Sequence, residues 1–523
     1  MRRLIVLLAT LDALVIIGFV RPLRLASHYP GVAVSLFNIL GITGGAIARY
    51  IALVVALVAL FLACCRLIDE TPRRWRVPII VAGAALLGFS YLLLYPATSN
   101  DLFHYAMEAR ILWVHHANPF TVAPDAYEYT DPFYPLYGYV VWSNLPSPYG
   151  PIWVLLGGLP LLFGHGSPFW TYIGFKLLAL GFYALCAVLI FAIVRTLRPS
   201  REYRATLLFA WNPLVLMYVA GNGANDIIMM AFALLALWLA LREQWQLAFP
   251  ALMLATLVKF VAGLLFPLLL IYAALRLPRE RRWSLVTPVT IALGVALLLY
   301  APFWAGTDTF YALRFQANQF TDSLPSLILH WIGNHLGFGS TAVIKASYNL
   351  EPIAIDLHAI VITKTIAYTL FVCAYGWILW RLWTRRATLH PDDLVASSFS
   401  VICAYLMLAV LWFQPWYLLW LIPLGALTAG VRTRVTLLFT FTGLLTHAAT
   451  AFAALKDYYY LHETWEVTLV LTTVFGLPAL YIAYVVFSRT PYGRRLLDRA
   501  ASARDAVLMW LLERRGRTPA VET

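Results

Sequence analysis

Two ionisable side chains, Asp101 and Lys259, stand where the surrounding apolar sequence makes charge expensive. Asp101 opens a helix-competent segment, Leu102–His116, that contains neither Gly nor Pro. On a 100° period Asp101 shares a face with His104, Tyr105, Glu108 and His115, and Ser99 or Asn100 is placed to cap the helix. A carboxylate held there suits a general base that takes the proton from an acceptor hydroxyl as it attacks a sugar C1. The competing explanation is that Asp in a first helical turn favours the macrodipole. Lys259 lies between two apolar runs with no arginine cluster beside it. An ammonium at that depth needs a partner. Either a lipid-linked phosphate supplies it, in which case the charge also stabilises the leaving group, or Lys259 pairs with Asp226 or Asp101. Arg110 projects from the face opposite Asp101 and either binds a phosphate or snorkels.

Other polar segments could shape a pocket. Asn118-Pro119-Phe120 ends the Asp101 helix, because Pro biases its predecessor out of the α region. Pro146-Ser147-Pro148-Tyr149-Gly150-Pro151 is a rigid non-helical approach to an apolar run, and such backbone near membrane depth belongs in a cavity wall. Gly221-Asn222-Gly223-Ala224-Asn225-Asp226 is a tight turn between two apolar runs. Gln414-Pro415-Trp416-Tyr417 begins another run as an aromatic edge on which a sugar could stack. His330, Trp331, Asn334 and His335 are weaker candidates, and their spacing is not that of a zinc site.

These residues need a scaffold, and the composition says what kind. Of 523 residues 62% are hydrophobic and 12% charged, more apolar surface than a water-soluble fold of this size can hide. The net charge of +13 sits in short clusters between apolar runs, as in cytoplasmic loops, which argues against nucleic acid. The expected fold is all-α: a polytopic integral membrane protein with about 14 transmembrane helices, an outward interfacial helix after Asp101, and a re-entrant segment at Ile152–Phe163, too short to span. Five of the expected spans are Ala205–Ala220, Ile227–Leu241, Trp245–Val258, Phe260–Ala274 and Trp416–Gly430, and those near Lys259 are short enough to be half-helices. Leu4–Val20 reads as an uncleaved first span whose Asp12 pairs inside the bundle. With both termini cytoplasmic, all arginine clusters fall on one side, and residues 96–150, 221–226, 305–356, 413–416 and 456–464 face outward. Residues 1–490 form one membrane module with a catalytic outer loop at 96–150 and a second outer loop at 305–356. Residues 491–523 form a basic cytoplasmic tail with an amphipathic helix on anionic lipid, or a solvated terminus. Cys64, Cys65, Cys186, Cys373 and Cys403 lie in apolar runs and read as packing residues without metal-ligand spacing.

Several segments in register resemble the GT-C class of polyprenol-phosphate-dependent glycosyltransferases, specifically bacterial α-1,6-mannosyltransferases of the MptB type. They are Ser99-Asn100-Asp101 with Tyr105 and Arg110, Asn118-Pro119-Phe120, Ser147–Pro151, Trp211–Leu214, Gly221–Asp226, Lys259, and Gln414–Tyr417 with Trp420. The resemblance implies an outward active site in the cytoplasmic membrane and a polyprenyl-phosphate mannose or related hexose donor. It implies a lipid-linked or cell-envelope glycan acceptor and inversion at C1, with Asp101 as base. Substrate contacts are then expected from Tyr105, Arg110, Asn118, Tyr149, Asn222, Asn225, Asp226, Lys259, Gln414, Trp416 and Tyr417. The loop carries a single acid in Asn100-Asp101-Leu102 where a carboxylate pair would hold a metal, so no cofactor is expected, although a divalent ion stays open. Glucose- and arabinose-transferring relatives share this layout, which leaves the sugar open. The alternative is a transporter or flippase, which would need polar groups spread through the depth of several spans.

Overall fold

The computed structural model describes residues 1–28, 36–140, 142–336, 341–344, 353–456, 464–492 and 494–495. Long apolar stretches become helices because lipid offers the backbone no hydrogen-bond partners. Among the described residues nine helices are long and apolar enough to cross a membrane, from Arg2–Val20 to Trp465–Arg489. A tenth crossing is available if Pro213–Gly221 and Asp226–Leu241, bent by 117° at their junction, count as one. The chain is a multi-pass membrane protein. Its lipid-facing sides are apolar in the expected sense, with Leu297 and Leu298 about three-quarters exposed.

Beside the expected count of about fourteen, these nine or ten among the described residues leave the shorter runs apart. The runs at Ala205–Ala220, Ile227–Leu241, Trp245–Val258, Phe260–Ala274 and Trp416–Gly430 form broken or short helices. Hydropathy reads composition, whereas crossing about 30 Å of hydrocarbon takes about 20 helical residues. Pro151–Gly164 is likewise shorter than a span and breaks at Gly157, where a β-carbon would stand 2.8 Å from the Ala109 Cβ. A four-residue antiparallel pair, Thr341–Ile344 with Ile353–Asp356, is the one pair of strands among the described residues. The tail beyond Arg495, and with it most of the expected amphipathic helix, lies outside the described residues, as do 457–463 of the last outer loop.

Asp12 is buried and accepts a hydrogen bond from Ser90 Oγ at 2.7 Å, the interior pairing its position required. Cys373 is exposed, unlike the other four cysteines. At one end of the bundle the arginine loops meet: Arg198 pairs with Asp392 at 2.8 Å, Arg204 with Asp69, and Arg385 with Asp393. At the opposite end the helix breaks at 221–226 and 257–260 and the segments 96–150, 311–323 and 409–420 converge on one cavity.

Candidate active site

Asp101 is placed by a chain of bonds that begins below it. The span Arg73–Leu92 ends where Lys176, fully buried on the neighbouring helix, donates to the carbonyls of Leu92 (3.1 Å) and Leu94. Asn222 then donates to Thr98 Oγ1, and the Asp101 N–H donates to Ser99 Oγ at 3.3 Å. Ser99 thus supplies the local bond at the helix start, while the Asn100 side chain makes none there. The helix runs Asp101–Trp113 and closes at a left-handed His116 (φ +52°), before Pro119 is reached. Every residue from Leu102 to Ile111 is buried. That corrects the expected interfacial helix: its Leu102, Phe103, Ala106 and Ala109 pack inside protein all round, and only its end near Trp113 is exposed.

Asp101 lines a cavity of about 510 Å³ with Thr98, Ser99, Asn100 and His104. Tyr105 donates its hydroxyl to Asp101 Oδ2 at 3.4 Å. Burial pushes the Asp101 carboxyl up to about 6; Lys259 pulls it down, Asp226 raises it, and His104 and Tyr105 lower it further.

The second wall is the proline loop, seated on the backbone that leads to Lys259. Gly150 N–H donates to Val258 O and Ile152 N–H to Leu257 O, both at 3.1 Å. Tyr149 is thereby held with its ring 5.5 Å from the Lys259 ammonium. Lys259 occupies an extended break (φ −151°, ψ 124°) between the helix Trp245–Thr256 and the 3-10 turn Phe260–Leu265. Its Nζ donates to Asp226 Oδ1 at 2.6 Å and to Asn225 Oδ1 at 3.5 Å. The ion pair that stood as the alternative for Lys259 therefore exists, with Asp226 as partner. Lys259 nonetheless lines the cavity, while Asn225 and Asp226 lie fully buried behind it.

The third wall is the 3-10 turn Pro415–Trp420. Gln414, Trp416, Tyr417 and Trp420 line the cavity, with Tyr417 stacked on Trp420 at 4.2 Å and both rings within 5.6 Å of Lys259. Trp420 also donates its indole N–H to Asp226. Asp101, Tyr149, Lys259, Gln414, Trp416 and Tyr417, drawn from three distant segments, thus share one cavity.

Other expected contacts lie elsewhere. Arg110 is locked away from the cavity: its Nε reaches both carboxylate oxygens of Asp131 at 2.8 Å and its guanidinium lies 3.9 Å from the centre of the Phe133 ring. His115 joins that cluster and not Asp101's face, 2.6 Å from Asp131 Oδ2, because the helix has ended by then. Burial raises the Asp131 carboxyl, but hydrogen bonds from Arg110, the Phe133 N–H and His115 outweigh it and hold the group below the usual carboxylate range. Asn118 donates to Phe303 O at 2.9 Å and takes the Phe120 N–H, pinning a loop. Asn222 braces Thr98 from outside the wall, Tyr105 supports Asp101 from beneath, and His330, Trp331 and His335 are off it; the side chain of Asn334 is outside the described residues.

His104, Trp142, Trp412 and Trp420 line the cavity without having been singled out as contacts. Lys176 could have been flagged by the rule that flagged Lys259, a lone ammonium in an apolar run. Among the described residues no three His, Cys, Asp or Glu side chains gather as a metal site.

A family model described as alpha-(1->6)-mannopyranosyltransferase, N-terminal domain, matches residues 9–276, a stretch that carries Asp101, Tyr149, Asp226 and Lys259. The chain belongs to this family. It is the family that the motifs from Ser99 to Trp420 resemble. A probable alpha-(1->6)-mannopyranosyltransferase of Mycolicibacterium smegmatis is 24% identical over 403 residues, 69% of this chain and 65% of the relative. Alpha-(1->6)-mannopyranosyltransferase A of Mycobacterium tuberculosis is 24% identical over 362 residues, 66% and 67% of the two chains. The chain thus spans just under two-thirds of the length of the first of these family members. A solved oligosaccharyltransferase of Archaeoglobus fulgidus aligns with 81% of this chain and 58% of its own, at 14% identity and a TM-score of 0.36.

Proposed function

We propose that this protein is an inverting glycosyltransferase that moves mannose from a polyprenyl-phosphate donor to a lipid-linked or cell-envelope glycan. The observation that carries the reading is one cavity, holding a half-buried carboxylate and a cation ringed by aromatic side chains, in a chain whose relatives bear the name of mannosyltransferases. A cavity of about 510 Å³ lies within the roughly 300–1,000 Å³ of small-molecule sites.

Asp101, ionised, takes the proton of the acceptor hydroxyl while that oxygen attacks C1 from the face opposite the phosphate. The C1–O bond breaks, its electron pair stays on the leaving polyprenyl phosphate, and the configuration at C1 inverts. Lys259, fixed by Asp226, sets positive charge where the phosphate develops negative charge, in surroundings drier than water. Trp416 and Tyr417 offer flat faces to the sugar and Gln414 a hydrogen-bonding edge. The arginine-rich end of the bundle is cytoplasmic and the cavity opens on the extracytoplasmic side of the cytoplasmic membrane.

The test is transfer from synthetic polyprenyl-phosphate mannose by reconstituted protein carrying Asp101→Asn. A loss of roughly 10²–10⁴ in rate is expected of a missing general base. Near-normal turnover removes Asp101 from that role.

A further inference from the structure

Three cation–carboxylate pairs lie around the cavity, and they differ in which member faces it. Arg110 and Asp131 contribute neither side chain to its wall. Lys259 lines it with Asp226 behind. His104 lines it in the same way with Glu108 behind, one helical turn further along the Asp101 helix. His104 Nε2 stands 3.0 Å from Glu108 Oε1, and the two residues are 6% and 1% exposed. His104 Nδ1 is buried with no hydrogen-bond partner among the described residues. A buried imidazole nitrogen is costly to leave without a partner, so the arrangement points to a ligand atom.

We propose that His104 binds the phosphate of the lipid-linked donor, its ring, held beside Glu108 on the cavity wall, donating an N–H to a phosphate oxygen. This rests on the reading that the cavity takes a phosphate-linked sugar. Charge balance requires such a group. Asp101 repels an incoming phosphodiester, and Lys259 is already bonded to Asp226, so a second cation is needed near Asp101. His104 is the other cation-capable side chain on the described wall. Burial alone favours its neutral ring, but Glu108, and beyond it Asp101, outweigh burial and raise its titration above the ordinary range of about 6.5. Asp101 acts on His104 and Tyr149 on Glu108, while Lys259, Asp226 and Tyr105 act on Asp101. The raised group is charged below its folded pKa and loses that charge as pH rises through it. Phosphate binding therefore weakens with rising pH.

The probe is decaprenyl methyl phosphate, a diester whose single charge does not titrate between pH 6 and 9. Binding to the full chain in nanodiscs is read by quenching of tryptophan fluorescence, since Trp142, Trp412, Trp416 and Trp420 line the cavity. Wild-type affinity is expected to fall about ten-fold across that range. His104→Gln binds weakly and His104→Lys tightly, each keeping only the small fall just above pH 6 that ionisation of Asp101 gives, and Glu108→Gln loses affinity at a lower pH than wild type. Uncharged decaprenol serves as the folding control and binds all four alike. His104→Gln with wild-type affinity and slope overturns the proposal; should that variant not fold, an unshifted Glu108→Gln profile overturns it instead. If wild type binds decaprenol but not the diester, the phosphate-linked donor reading itself fails.

Discussion

Gly150 rests against the carbonyl of Leu257: a β-carbon at position 150 would stand 2.0 Å from that oxygen and 2.4 Å from its carbon. The contact explains why the proline loop carries a glycine there, and it couples Tyr149 to Lys259 through two residues of backbone. Gly150→Ala must push the loop off its seat, because the obstructing atoms are backbone. Overpacking of this kind typically destabilises by about 1–3 kcal/mol. We expect a lowered unfolding temperature and at least a ten-fold drop in kcat/KM for transfer. Wild-type kinetics in this variant would mean that the loop does not position the site.

The Asp101 carboxyl titrates near 6, raised chiefly by burial. A general base works only when deprotonated, so kcat/KM should fall as pH drops through about 6, well above the limb near 4 of an ordinary aspartate. Lys259 lowers this pKa, so Lys259→Met should move the limb to higher pH; Asp226 raises it, and Asp226→Asn should move the limb down. Rate profiles between pH 4 and 8 check all three. A wild-type limb near 4 would contradict the assignment of Asp101 as the base.

Arg110 separates stability from donor binding. Its guanidinium is committed to Asp131, so Arg110→Met leaves a buried carboxylate held only by His115 and the Phe133 N–H, a loss of up to about 3–5 kcal/mol for such pairs. The KM for the lipid donor should stay within about three-fold of wild type in protein that folds. The Asp131 pKa is depressed, so the pairing is fully present above the unfolded value of about 3.9 and is lost as pH falls through the lower folded value. The unfolding temperature of wild type should therefore drop more steeply below pH 4 than that of Arg110→Met. A donor KM raised ten-fold or more would return Arg110 to the binding site.

Apolar run length and the rule that buried charge needs a partner carried the sequence reading a long way. They gave the helical class, Asp12 inside the bundle, and the pairing of Asp101 with Lys259 in one cavity. What they could not reach is set by tertiary neighbours. A 100° period places Arg110 opposite Asp101, but nothing in it says that Asp131 waits there, 21 residues on. Run length near Lys259 already allowed half-helices, but composition is blind to the 117° bend between Pro213–Gly221 and Asp226–Leu241. His104 was seen on the right face, yet its significance depends on Glu108 standing behind it and on Nδ1 being left without a partner.

Lys259 and Asp226 allow the functional and structural parts of an ion pair to be measured apart. Asp226 is fully buried and takes donors from both Lys259 and Trp420. Lys259→Met strands that carboxylate, and Asp226→Asn strands the ammonium; each should destabilise by about 3–5 kcal/mol. The double variant removes both charges and keeps the volume, so its unfolding temperature should recover most of the loss, as replacement of whole buried pairs often does. Transfer should not recover with it, because the phosphate then meets no ammonium at the break before Phe260. A double variant that regains both stability and turnover would make the pair purely architectural, and the donor phosphate would have to be held elsewhere.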